Sequence, residues 1–227
     1  MSTMPAPSPT GQPERPAVAP GADGWFASAA GRALLDSEWP QVRAFLAERP
    51  GQPWLWLGPA AGSGDGLPVP GVALRPAADG WSGSLRCGLP LPLANESVAA
   101  IVLQHPALAP ADAAALLAEC ARVLLPGAAL CVCCMNPLSA WRWRWGRGGP
   151  GASEPQTWRH RLRAAGLAPD PVSQGVGPRW GAIADPGLQH GPGVRAAWLL
   201  RARKRMVPLT PVRARASLRL GAEAPAA

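Results

Sequence analysis

The stretch Ser97–Met135, SVAAIVLQHPALAPADAAALLAECARVLLPGAALCVCCM, decides the fold class. It opens on an apolar run, Ser97 to Pro106, that turns polar only at Gln104 and His105, as a buried strand does on reaching its end. APADAAALLAECARVLLPG then reads as a helix. Pro110 suits its first turn, Asp112 complements its N-terminal dipole, and Leu116, Leu117, Cys120, Val123 and Leu124 share one apolar face. Gly127 is placed to cap its end. AALCVCCM follows as a strand whose side chains alternate between two buried faces. Strand, helix, strand in this rhythm predicts an open α/β sheet.

The flanks extend the pattern. Upstream, WLWLGPA (Trp54 to Ala60) is a buried strand, GVALRPA (Gly71 to Ala77) a weaker one, and Leu85 to Gly88 a short third. GPAAGSGDGLPVP between the first two is too rich in breakers for a helix, so the first crossover is reduced to coil or a single turn. Further back, Leu34, Leu35, Val42, Phe45 and Leu46 recur at helical spacing, and Pro40 starts a second short helix. Downstream, a helix spans about 153–165 and ends at Gly166, and AAWLLRARKR (Ala196 to Arg205) is a final edge strand. Residues 1–22 form a Pro-rich leader with nothing to bury, 23–207 the α/β domain, and 208–227 a basic, flexible tail.

Composition agrees. Of the 227 residues, 48% are hydrophobic and 16% charged, a globular balance, while 29 prolines and 26 glycines demand many loops and short helices. No apolar run reaches the roughly 18 residues of a membrane span, and the N-terminus lacks a basic-then-apolar signal, so the cytoplasm is the expected location. Cys131, Cys133 and Cys134 lie inside one strand, and with Cys87 and Cys120 they lack the paired spacing of a zinc site; all five read as small core hydrophobes and no metal is expected. The net charge of +8 has one address: eight basic residues and no acidic one lie between Arg195 and Arg219. That 195–219 segment could hold the phosphates of RNA, DNA or a lipid surface, or be a solvated arginine-rich tail.

From Leu89 to Trp141 the order LPLPLANESVAAIVLQHPAL, LLAECARVLLPGAALCV, NPLSAW resembles the type 11 branch of class I S-adenosylmethionine-dependent methyltransferases. His105 after its strand, Asn136-Pro137-Leu138-Ser139 after the next, the opening WFASAAGRALLDSE and the ending ARKRMVPLTP are similar to a bacterial subgroup of that branch, called YafS-like. The resemblance covers roughly Trp25 to Pro211. It implies an open, mostly parallel Rossmann-like sheet with helices on both faces, S-adenosylmethionine as methyl donor, and methylation of an unidentified acceptor. It also implies a first loop of Gly58, Pro59, Ala60 and Gly62, with Arg75, Gly88, Leu89 and Gln104 at the neighbouring strand ends, as the cofactor-binding set. His105 and Asn136 would be the catalytic pair, His105 taking a released proton and the Asn136 amide contacting substrate.

Ligands in such sheets bind beyond the carboxyl ends of the strands, and all these residues fall at such ends. The sequence departs from the family where Trp56 stands for the first loop's acid, Ala60 for a glycine, and Arg75-Pro76 for the ribose-binding acid, with Asp79 nearby. Glu119 and Arg122 match the family helix and read as structural, one turn apart. Trp141-Arg142-Trp143-Arg144-Trp145 has several readings. It suits stacking on bases with phosphate contact, a lid over the pocket, an interfacial membrane contact, or packing against the 153–165 helix. Two other function classes stay open: a non-catalytic form of the fold that binds RNA or another partner through this segment and the basic tail, and a binder of a different nucleotide-like ligand.

Overall fold

The computed structural model describes residues 22–206 apart from 60–66, 68, 69, 79 and 107. The expected first loop (Ala60, Gly62), Asp79, the leader apart from Ala22, and the 208–227 tail therefore fall outside the described residues.

In chain order, helices α1 (Ala22–Phe26) and α2 (Ala29–Leu46) precede strands β1 (Trp54–Leu57), β2 (Gly71–Ala77), β3 (Gly80–Gly83), β4 (Arg86–Cys87) and β5 (Val98–Gln104). Helix α3 (Pro110–Val123), strand β6 (Leu124–Met135), and helices α4 (Ala140–Trp145) and α5 (Pro155–Ala164) follow. Strands β7 (Leu167–Pro169), β8 (Gln174–Val176), β9 (Gln189–His190) and β10 (Ala197–Lys204) complete one sheet. Its order is β4-β3-β2-β1-β5-β6-β10-β8-β9, with β7 also paired to β10. The centre, β2-β1-β5-β6, is parallel; both flanks are antiparallel. The sheet is therefore α/β and open, but mixed.

Alternation builds two cores. Leu55, Leu57, Ile101, Leu103, Leu130 and Val132 face α3 and α5, which contribute Leu116, Leu117, Cys120, Trp158 and Leu162. Trp54, Trp56, Ala100, Val102, Cys131 and Cys133 face α1 and α2, which contribute Phe26, Leu34, Val42 and Phe45. The cysteines are core residues here: Cys120, Cys131, Cys133 and Cys134 are buried, and burial pushes the Cys134 thiol well above its usual range.

Three expectations need correction. Pro40 starts no second helix but lies inside the 18-residue α2. Asp36 and Pro40 are both on the exposed side, where solvent can serve the carbonyl that a proline leaves unbonded. Gly127 caps no helix: α3 passes straight into β6, and Gly127 (φ +72°) sits where the β5–β6 ladder shifts register between Val98–Leu124 and Ala100–Ala129. The 196–205 strand is not an edge, since β10 is hydrogen-bonded to β6 on one side and to β7 and β8 on the other. The short strand expected at Leu85 to Gly88 is present as β4, and it pairs antiparallel with a further strand, β3, which is in turn antiparallel to β2.

Glu119 and Arg122 do more than brace their own turn. Arg122 donates to Glu119, to the carbonyls of Leu91 and Leu93 and to Asn95 Oδ1, while the Leu91 amide donates to Glu119 Oε2 at 2.8 Å. The pair clips the LPLPL loop onto α3. Its hydrogen bond to Arg122 holds the Glu119 carboxyl below the usual carboxylate range, against the opposing effect of burial.

Candidate functional site

The parallel centre reverses its winding at β1: the chain goes from β1 to β2 on one side and to β5 on the other, so the strand ends around β1 form the switch-point crevice. A cavity of about 380 Å³ opens there, lined by Phe26, Pro59, Arg75, Pro76, Ala77 and Ser82. Arg75 and Ser82 are cross-strand partners of the β2–β3 hairpin, which brings them to one face. Phe26 closes the cavity from α1.

Behind Phe26 lies a buried polar chain. The Trp56 indole donates to Gln104 Oε1 at 3.2 Å, and Gln104 Nε2 donates to Glu38 Oε2 at 2.7 Å. His105 Nε2 meets Glu38 at 2.9 Å from Oε1 and 3.1 Å from Oε2. Neither the Glu38 nor the His105 side chain exposes any surface. A carboxylate only accepts, so Nε2 of His105 carries the hydrogen, and in the neutral ring Nδ1 keeps a lone pair. Nδ1 is buried and has no partner among the described residues. The Phe26 ring, 5.3 Å from the imidazole centroid, separates it from the cavity.

His105 also has φ +48°, a left-handed conformation that a side chain adopts at a cost of about 1–2 kcal/mol. A left-handed backbone and an orphaned buried nitrogen coincide on one residue. Such concentration of cost is characteristic of functional positions.

Glu38 is the residue that sequence reasoning missed. It is the only buried acidic side chain among the described residues. The signal was present: Leu34, Glu38 and Val42 follow one another at four-residue intervals along an apolar stripe. Trp56 occupies the strand position of the missing acid, but its ring does not fill the crevice. It lies flat under α2, stacked on Trp39 with centroids 5.6 Å apart. The carboxylate at this end of the sheet thus comes from α2.

The other expected residues divide. Pro59 and Arg75 line the cavity, while Gln104 and His105 stand just behind it. Gly58 is needed for packing: a Cβ there would come within 2.6 Å of Gln104 Cβ. Gly88 and Leu89 do not line the cavity, and Leu89 packs against the core under α3. Asn136 lies at the adjacent strand end but is buried and committed to the fold. Its amide nitrogen donates to the carbonyls of Gly193 and Arg195, each at 3.0 Å, and its oxygen accepts from Leu138 N at 3.1 Å. This is the turn that Asn-Pro favours, and it takes both hydrogens of the amide nitrogen into the fold.

The Trp-Arg segment is helical, so its rings do not line one face. Trp141 is buried and donates to Gly181 O at 2.9 Å, and Trp145 donates to Trp180 O at 3.1 Å. Trp25 of α1 donates in turn to Trp145 O. The segment packs against α1 and the 180–182 loop.

The basic segment is also partly neutralised in space. Buried Arg195 pairs with Asp185 at 2.9 Å, Arg201 with Glu48, and Lys204 with Glu96 at 3.1 Å. Burial pushes the Asp185 carboxyl up, but hydrogen bonds from Arg195 and the Gly187 amide outweigh it and hold the group below its usual range. Among the described residues no cluster of His, Cys, Asp and Glu could hold a metal ion, and no helix is long and apolar enough to cross a membrane.

No protein-family model matches the chain, and no curated protein matches it. Solved structures do. An S-adenosylmethionine-dependent methyltransferase from Thermotoga maritima, described as a possible histamine N-methyltransferase, is 16% identical with a TM-score of 0.53 over 81% of this chain and 94% of its own. A methyltransferase of the same dependence from Archaeoglobus fulgidus is 11% identical with a TM-score of 0.50, over 76% and 94% of the two chains. The [4+2]-cyclase SpnF is 18% identical with a TM-score of 0.51, over 76% and 81%. At these identities the likeness establishes the class I methyltransferase fold and leaves the chemistry to the site.

Proposed function

We propose that this chain binds S-adenosylmethionine in the cavity at the ends of β1 and β2, transfers its methyl group to an acceptor, and uses His105 to take the acceptor's proton. One observation carries the reading: a ligand-sized cavity at the switch point is backed, one phenyl ring away, by an imidazole whose free nitrogen is buried and whose other nitrogen is held by a carboxylate. The order of motifs from Leu89 to Trp141 supports a place in the type 11 branch and its YafS-like subgroup.

The lining fits the donor. About 380 Å³ lies within the usual range for small-molecule pockets. Phe26, Pro59, Pro76 and Ala77 offer apolar walls to an adenine. Arg75 and Ser82 offer donors to ribose oxygens, in place of the carboxylate usual at that strand end. When bound, the cofactor supplies a methyl group activated on a sulfonium centre. The chain's own work is then to position the acceptor and remove its proton.

Displacement of the Phe26 ring opens a path to Nδ1 of His105. As the acceptor atom loses its hydrogen, Nδ1 gains it, and the imidazolium so formed is compensated by Glu38 on Nε2. Gln104 and Trp56 hold that carboxylate in place. Asn136 enters this scheme as a brace for the 192–195 loop rather than as a substrate contact.

Calorimetric titration of the full chain with S-adenosylmethionine and S-adenosylhomocysteine tests the reading. Micromolar binding of both is expected, weakened severalfold by Arg75→Glu and little affected by His105→Asn. Absence of heat from either ligand at millimolar concentration would overturn it and leave the non-catalytic form of the fold.

A further inference from the structure

Eight large apolar side chains are exposed among the described residues, and six of them fall on two short segments. Leu138 and Trp143 lie on α4 and its approach; Trp180, Ile183, Leu188 and Val194 lie on the loop before β10. Leu138, Trp143, Trp180 and Ile183 each leave between 69% and 79% of their surface to solvent. Single exposed hydrophobics are ordinary, but a concentration of them marks an interaction surface.

The two segments are neighbours. Trp145 and Trp141 donate to the carbonyls of Trp180 and Gly181, and Ser139 Oγ donates to Val194 O at 2.9 Å. These bonds spend the polar edges of Trp141 and Trp145 inside the protein, while the Trp143 indole stays outside.

Charge along the α4 stretch has one sign. Arg142, Arg144 and Arg147 belong to the same stretch, and no acidic residue occurs from Asn136 to Ser153. None of the three forms an ion pair among the described residues. On the facing loop the one acid, Asp185, is already held by Arg195. A crevice of about 320 Å³ is lined by Arg142, Trp143, Arg147 and the glycine-rich run 146–151.

We propose that this face docks on an anionic phospholipid bilayer surface. Arg142 and Arg147 would take headgroup phosphates around the crevice, Trp143 and Trp180 would sit at the headgroup level, and Leu138 and Ile183 would enter the acyl boundary. A nucleic-acid strand fits less well, because Leu138, Ile183 and Val194 provide no stacking face and Trp141 is buried. The inference does not depend on the proposed methyl transfer and can stand or fall without it.

Vesicle flotation with the full chain is the test. Vesicles of phosphatidylcholine containing phosphatidylglycerol should carry the protein, pure phosphatidylcholine vesicles should carry much less, and added salt should release it. The double variant Leu138→Ser/Trp143→Ser should lower partition about tenfold or more, and Arg142→Gln/Arg147→Gln about fivefold per arginine. All four side chains are partly or fully exposed, so unchanged circular dichroism is expected in both variants. The proposal is overturned if phosphatidylglycerol vesicles do not carry the protein, or if both variants float as the parent does, which would move binding to residues 207–227. It is equally overturned if free glycerol phosphate or single-stranded RNA binds through these residues while vesicles do not.

Discussion

Replacing Glu38 by leucine tests the buried polar chain directly. In the folded protein this carboxylate is the acceptor for Gln104 Nε2 at 2.7 Å and for His105 Nε2 at 2.9 Å, all in a fully buried setting. Leucine fills much the same space and accepts nothing, so two buried donors lose their partner together. Each such orphan costs about 1–3 kcal/mol, which sums to about 2–6 kcal/mol. Removing one side of a buried pair costs roughly 3–5 kcal/mol in other proteins, so about 4 kcal/mol is the central expectation. A domain of this kind has about 5–15 kcal/mol to lose, and the variant should still fold. With a urea dependence of roughly 3 kcal/mol per molar, the unfolding midpoint should fall by about 1.3 M, read by far-ultraviolet circular dichroism. Glu38→Gln, which keeps one acceptor oxygen, should fall between parent and leucine variant. A leucine variant that loses less than about 1 kcal/mol would refute the reasoning, because His105 and Gln104 would then have to be satisfied elsewhere.

The remaining predictions concern packing and charge. Gly58→Ala should destabilise by about 1–3 kcal/mol in the same urea assay, since the added methyl meets Gln104 Cβ at 2.6 Å. Trp141→Ala should cost about 3–5 kcal/mol, whereas Trp143→Ala, at a position 70% exposed, should stay within about 0.5 kcal/mol; equal costs would contradict the helical arrangement of the segment. Arg122→Gln should speed hydrogen exchange in the loop around Leu91–Ser97 that the guanidinium ties to α3. The Glu119 carboxyl is lowered by Arg122 in the folded state, so its contribution to stability is complete above its ordinary value of 4.5 and disappears as pH falls through the lowered one. Urea midpoints of parent and Arg122→Gln should therefore differ at neutral pH and converge in acid.

Residues 97–135 were readable because local periodicity and burial agree there: β5, α3 and β6 each follow their own repeat into a core on one or both faces. What escaped depends on partners far along the chain. Pro40 looked like a helix start because nothing local says that the carbonyl it leaves unbonded will face solvent. GWSG at β3 is too short and glycine-rich to announce a strand without β2 beside it. The 195–219 segment looked uniformly basic, yet Arg195, Arg201 and Lys204 in it have counter-charges at Asp185, Glu48 and Glu96. The site divides in the same way. Gln104 and His105 were legible as a strand end, whereas Glu38 acquires its meaning only when α2 is laid across the sheet. Asn136 was legible as a turn former and as a candidate amide; its nitrogen is claimed by the 193–195 carbonyls and its oxygen by the Leu138 amide of its own turn.

The interior place of β10 has a consequence for how the chain is made. A ribosome has to extend the polypeptide almost to Lys204 before β6 can acquire its second neighbour and before β7 and the β8–β9 pair can join the sheet. Until then the apolar ladder LCVCCM presents a bare edge, the kind of surface that recruits other strands. Nascent chains halted before Ala197 should thus be the aggregation-prone species, and completion of a single late strand converts an open template into a closed one.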